Sequence, residues 1–123
     1  MKVAVLGHSQ VKHLNFRTAE VRIEKFYKSG ATFSSIRTTD QFQELVQYNP
    51  DLIFLLLGSN DITENTDINN IVENYFNLKK EILRKIEPAQ GIYLLDIEKR
   101  TQNNRYVNCK TYRKVRNSFI KKV

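Results

Sequence analysis

Residues 52–61 read Leu-Ile-Phe-Leu-Leu-Leu-Gly-Ser-Asn-Asp, an unbroken apolar run that enters a glycine and then three polar side chains. A short, continuous run closed by glycine is the pattern of a strand covered on both faces, as in a parallel sheet. Val3 to Leu6 repeats it ahead of Gly7, and Gly91 to Asp96 repeats it again with Ile92, Tyr93, Leu94 and Leu95. Val21 to Tyr27 alternates more, with Val21 and Ile23 on one face, which places it nearer an edge.

Helical patterns separate these runs. From Ile68, the positions Ile71, Val72, Tyr75, Phe76, Ile82, Leu83 and Ile86 follow the three-and-four spacing of a core-facing helix, with Asp67 as N-cap and Pro88 beyond the end. Asp40 to Tyr48 reads as a shorter helix, with Thr38 and Gln41 as a capping box, Phe42, Leu45 and Val46 on one face, and Pro50 as a stop. Gln10 to about Arg17 and Thr111 to Lys122 are further helical segments, the last with Val115 and Phe119 as a thin apolar stripe among basic residues. Strands alternating with helices imply a doubly wound parallel α/β sheet with right-handed crossovers, whose ligands bind outside the carboxyl ends of the strands.

The chain has 123 residues, 41% hydrophobic and 27% charged, and suits one soluble globular domain. Its longest unbroken apolar run, Leu52 to Leu57, is far short of the roughly 20 residues that span a bilayer. The opening Met-Lys and strand show no signal-peptide cleavage site, and the single cysteine, Cys109, cannot form an internal disulfide, so a cytoplasmic setting is expected. Cys109 itself, beside Asn108 and Lys110, reads as a packed or surface thiol. The net charge of +7 is concentrated: residues 99–123 hold nine basic residues and no acidic one. That segment, Lys99 to Val123, suggests either attraction to a polyanion such as nucleic acid or a solvated helix face.

The polar residues suited to chemistry come directly after the strands. Gly7-His8-Ser9 ends the first and Gly58-Ser59-Asn60-Asp61 the third, so the two are expected to meet at one rim. Neither the dinucleotide-binding glycine fingerprint nor a P-loop occurs, and no cofactor or metal site is indicated. At a strand-to-helix turn, Ser9 can be a nucleophile with backbone N–H groups aimed at developing negative charge, or simply the N-cap of the helix that starts at Gln10. Asp61 and Glu64 share one loop and do not form the flanking pair of a glycosidase.

Taken in order, "VAVLGHSQ", "KSGATFSSI" and "LLLGSNDI" resemble three blocks of the SGNH or GDSL-type hydrolases. The resemblance implies a three-layer α/β/α sandwich with a flavodoxin-like doubly wound parallel sheet, and acyl transfer on a small ester or acetyl ester through an acyl-serine at Ser9. It further implies an oxyanion hole made of the N–H groups of Ser9 and Gly30 and the side-chain amide of Asn60. Gly30 can otherwise serve a turn, and Asn60 can cap the helix or turn after Gly58.

Two departures accompany the resemblance. His8 stands where the family has aspartate, and as the neighbour of Ser9 it suits packing or hydrogen bonding at the rim better than base catalysis. His13, four residues beyond Ser9, shares its face if an α-helix begins at once, and is then a candidate base. The family's fourth block, Asp-x-x-His, which supplies the base, does not occur in the 123 residues. Without a positioned base a serine hydroxyl is a weak nucleophile. The expectation is a single hydrolase-like domain over residues 1–123, incomplete at its C-terminus and slow or inactive as it stands. The alternative is a non-catalytic α/β domain whose basic C-terminal segment binds nucleic acid or another polyanion.

Overall fold

A computed structural model describes residues 1–14, 21–63, 65–95, 97 and 109–123. The strands β1 (Lys2–Gly7), β2 (Arg22–Tyr27), β3 (Leu52–Leu56) and β4 (Ile92–Leu94) form one parallel sheet in the order β2-β1-β3-β4. The alternating strand is indeed an edge. Three α-helices are interleaved with or come after the strands: α1 (Asp40–Tyr48), α2 (Ile68–Lys85) and α3 (Cys109–Lys122), with 3-10 turns at Ser9–His13, Ser35–Thr38 and Ser59–Asp61.

Register fixes which side chains share a face. Ala4 pairs with Ile53 and Leu6 with Leu55, while Ile53 pairs with Ile92 and Leu55 with Leu94. This face packs into one core with Phe42 and Leu45 of α1, Ile71, Leu78 and Ile82 of α2, and Tyr112 and Phe119 of α3. On the other face, a Cβ added at Gly7 would meet Val11 of the first 3-10 turn, and Lys25 of β2 donates to the carbonyls of Lys12 and Leu14. The two directions of winding explain this split. The chain leaves β1 for β2 on one side, then crosses back over β1 to β3, and right-handed connections of opposite direction must use opposite faces.

Local chemistry sets the helix ends. Thr39 caps α1, its hydroxyl accepting from the Phe42 N–H at 3.2 Å and donating to the Ile36 carbonyl at 2.7 Å. The sequence points instead to Thr38, but that hydroxyl donates to the Ser35 carbonyl and closes the preceding 3-10 turn, displacing the cap by one residue. Asn49, at φ 51°, ends α1 in the left-handed region ahead of Pro50. Asp67 caps α2 as its pattern implies, accepting from the Asn69 N–H at 3.0 Å.

The elements from the outer parts of the sequence differ more from expectation. β4 is shorter than residues 91–96, because Gly91 at φ +98° lies outside the strand; Asp96 is outside the described residues. α3 starts two residues before Thr111, and its inner stripe includes Tyr112, fully buried, and Arg116, only 9% exposed. Arg116 is accommodated because its Nε donates to the Ile97 carbonyl at 2.7 Å and its Nη1 to Asn117 Oδ1 at 2.9 Å. The helix expected from Gln10 to Arg17 is a 3-10 turn over Ser9–His13, and residues 15–17 lie outside the described set. Phe33, Tyr75 and Phe119 then join the β2 loop, α2 and α3, with ring centroids 5.4 to 6.0 Å apart. No described helix is long and apolar enough to cross a membrane.

Candidate active site

Strand order β2-β1-β3 puts the change of winding direction between β1 and β3, and in open α/β sheets ligands bind outside the carboxyl ends of the strands at such a point. The loops after β1, β2 and β3 leave at the same level, because Gly7 pairs with both Tyr27 and Leu56. Neighbouring strands lie about 4.8 Å apart, so residues just past these ends are brought within reach of one another. Ser9, Gly30 and Asn60 all belong to those loops.

Ser9 is the first residue of its 3-10 turn and is half-buried. It does not cap the turn; His8 does, with its Nδ1 accepting from the Gln10 N–H at 3.2 Å. The Val11 N–H goes to the His8 carbonyl, which leaves the Ser9 N–H outside the turn's own hydrogen bonding. A 3-10 turn also alters the reading of His13. With three residues per turn, positions three apart eclipse, so His13 is offset from Ser9 rather than stacked over it, and its side chain is exposed.

His8 is buried, 4% exposed, and its Nε2 lies 3.2 Å from the hydroxyl of Ser59, itself 3% exposed. A serine within hydrogen-bond reach of a histidine resembles a nucleophile and its base. The hydrogen bond at Nδ1 opposes that role. Because Nδ1 accepts from a backbone N–H, the proton of the neutral ring sits on Nε2, which must donate to Ser59. A general base needs the reverse, a lone pair on the nitrogen that faces the hydroxyl. The pair therefore ties β1 to the Gly58–Asp61 turn, the rim hydrogen bonding anticipated for His8.

Gly30 sits at φ +77° in the turn after β2, where the Ala31 N–H returns to the Lys28 carbonyl at 3.1 Å. Nothing lies within 4 Å of the Cβ position, so the requirement for glycine is conformational rather than steric. Asn60 reaches this turn: its amide nitrogen donates to the Ala31 carbonyl at 3.2 Å. Asp61 grips the same loop, both carboxylate oxygens lying 3.3 Å from the Phe33 N–H. Burial pushes the Asp61 carboxyl up to about 7, against the opposing pull of the Phe33 N–H and its own backbone N–H. Sequence reasoning misses this role of Asp61; an aspartate next to an asparagine in a turn gives no hint that the two will hold one loop from opposite polarities.

Gly58 lets the turn approach the core, at φ +114° and with Ile97 Cδ1 2.6 Å and Phe33 Cε2 3.4 Å from the position of a Cβ. Ile97 also lines a cavity of about 220 Å³ with Tyr75, Leu94, Leu95, Ile120 and Val123. Among the described residues no group of His, Cys, Asp and Glu could hold a metal ion. Cys109 begins α3, and its side chain lies outside the described set, as do Glu64 and residues 98–108. Of the basic segment from Lys99, the described part is α3, which turns Tyr112 and Phe119 inward and leaves Lys110, Arg113, Lys114, Lys121 and Lys122 exposed. That is the charge distribution of an amphipathic helix with a solvated face.

The fold defined by this sheet and rim is that of the GDSL-type lipases and acylhydrolases. No protein-family model matches the chain, and no curated protein matches it. Solved structures do. The lipase/acylhydrolase from Enterococcus faecalis superposes with a TM-score of 0.67 at 14% identity, covering 98% of this chain and 69% of that one. TesA gives 0.63 at 17% identity, covering 99% and 74%. The psychrotrophic esterase EstA from a Pseudoalteromonas species, in a structure inhibited by monoethylphosphonate, gives 0.55 at 18% identity, covering 97% and 73%. At these identities the shared property is the fold.

Proposed function

We propose that the chain is an SGNH-type serine hydrolase domain that cleaves small esters or acetyl esters through an acyl-serine at Ser9. The observation that carries the reading is the bond from the Asn60 amide to the Ala31 carbonyl. It holds the side-chain donor against the turn that carries Gly30, at the level of the strand ends from which the Ser9 turn also leaves. In the reaction, the Ser9 oxygen attacks the ester carbonyl carbon. The N–H groups of Ser9 and Gly30 and the second amide hydrogen of Asn60 stabilise the charge on the carbonyl oxygen. Collapse then expels the alcohol, which takes the proton that the Ser9 hydroxyl gives up, and water later releases the acid and restores that proton to Ser9. Loss of one such donor lowers turnover by roughly 100- to 1,000-fold in hydrolases.

The base is the part this sequence does not supply, since His8 has the wrong tautomer and His13 is offset. Slow turnover by the 123-residue chain is the consequence. A fluorophosphonate probe tests the assignment, because it reports serine nucleophilicity without requiring turnover. Slow labelling of the wild-type chain, as expected of a serine without a positioned base, that disappears in Ser9→Ala and persists in Ser59→Ala is the expected result. Equal labelling of Ser9→Ala and wild type would exclude Ser9.

A further inference from the structure

Consecutive residues of the Gly58–Asp61 turn hold the β2 loop with opposite polarity. Asn60 donates to the Ala31 carbonyl, and two residues along that loop the Phe33 N–H donates to Asp61. Phe33 is fully buried, so its N–H would otherwise go without a partner in the core. The loop is stiffened around Phe33 by a reciprocal pair, with the Thr32 N–H on Ser35 Oγ at 2.8 Å and the Ser35 N–H on Thr32 Oγ1 at 3.1 Å. The turn is stiffened on its own side by the Thr66 hydroxyl, which donates to the Asp61 carbonyl at 3.2 Å. Gly30 and Ala31 thus lie between a rigid loop and two side-chain ties.

We propose that Asp61 is a positioning residue: by holding the Phe33 N–H, its carboxylate fixes the Gly30–Ala31 turn, and the Ala31 carbonyl in turn orients the Asn60 amide. The catalytic consequence rests on the reading of Gly30 and Asn60 as oxyanion donors, whereas the coupling is a property of these residues alone. An ionised carboxylate accepts the Phe33 N–H more strongly than a carboxylic acid. Protonation therefore loosens the tie and releases the turn. Burial and two backbone N–H groups act on Asp61, with no charged partner among the described residues, so its own proton is the control.

The test is a pH titration of the 15N-labelled full chain by NMR, following the Phe33 and Ala31 backbone amides and the Asn60 side-chain amide. The expected result is that all three move together with one midpoint near 7, and that none moves over that range in Asp61→Asn. A Phe33 amide that titrates while the Asn60 amide stays still would overturn the coupling, and so would the absence of any midpoint near 7 in the wild type. The wild-type titration decides the matter even if Asp61→Asn does not fold. Fluorophosphonate labelling then gives the catalytic consequence. The rate at Ser9 should rise roughly tenfold from pH 6 to pH 8, as a carboxyl of midpoint 7 goes from mostly protonated to mostly ionised, and that rise should vanish in Asp61→Asn. If the amides titrate together but Ser9 takes no label at any pH, the hydrolase reading fails and the coupling stands. If Ser9 is labelled with the same pH dependence in both proteins, Asp61 does not position the donors.

Discussion

At the residue scale, glycines at the strand ends serve different needs. A methyl group at Gly7 would stand 2.2 Å from the Leu56 carbonyl oxygen and 2.8 Å from Val11 Cγ2, so β1 and β3 could not keep their pairing at the rim. At Gly30 nothing is within 4 Å, and only the φ of +77° opposes a side chain. Urea denaturation should separate the two. Gly7→Ala is expected to lower the unfolding free energy by about 3 kcal/mol or more, the upper range for overpacking a close contact. Gly30→Ala should lower it by only about 1 to 2 kcal/mol, the penalty for a left-handed alanine. His8 belongs to the same scale, since its ring accepts from the Gln10 N–H and meets the Ser59 hydroxyl, which suits it to capping the first turn and anchoring Ser59. The residue identity is visible in the sequence; the proton's position depends on partners 2 and 51 residues away.

At the element scale, α3 is the clearest case of an amphipathic segment whose role is set by docking. Its sequence shows charge first, yet Tyr112 and Phe119 are fully buried and Phe119 contacts the rings of Phe33 and Tyr75. Phe119→Ala should destabilise the fold by about 3 to 5 kcal/mol, as expected for truncating a buried aromatic. Lys114→Gln, on the exposed side, should change stability by less than about 0.5 kcal/mol. Chemical denaturation of the two variants against wild type measures both, and a near-neutral Phe119→Ala would show that α3 does not dock. The β2 loop and α2 are joined differently. Arg37, ahead of α1, pairs with Glu81 of α2, which also meets Arg84 and Lys85, and the Arg37 hydrogen bond holds the Glu81 carboxyl below its usual range. Glu81 is largely covered while its three cations are partly or fully exposed; surface ion pairs contribute about 0 to 1 kcal/mol each, less than the about 3 to 5 kcal/mol of one buried aromatic, so apolar packing holds the helices to the sheet.

At the scale of the whole molecule, pH links the candidate site to stability. Asp61 has its midpoint raised from 3.8 to about 7 in the folded chain, so between those values the folded state binds more protons than the unfolded one. Its contribution to stability therefore falls as pH rises through that window and is constant outside it. Asp61→Asn removes the titration. The melting temperature of that variant minus that of wild type should increase from about pH 4.5 to about pH 7.5, as measured by thermal unfolding. A difference that stays level or decreases would show that Asp61 is not raised.

The sequence by itself determined the apolar runs that become β1 and β3, the long α2 stripe, and the glycine-led polar ends that meet at one rim. Those features are local: periodicity and turn chemistry are written in adjacent residues. Tertiary structure alone decided the 3-10 form of the first turn, the tautomer of His8, the burial of Arg116 and the grip of Asn60 and Asp61 on the β2 loop. Each depends on a partner brought close by the parallel pairing of strands that are far apart in the chain, and no local pattern specifies where that partner's lone pair or proton will point.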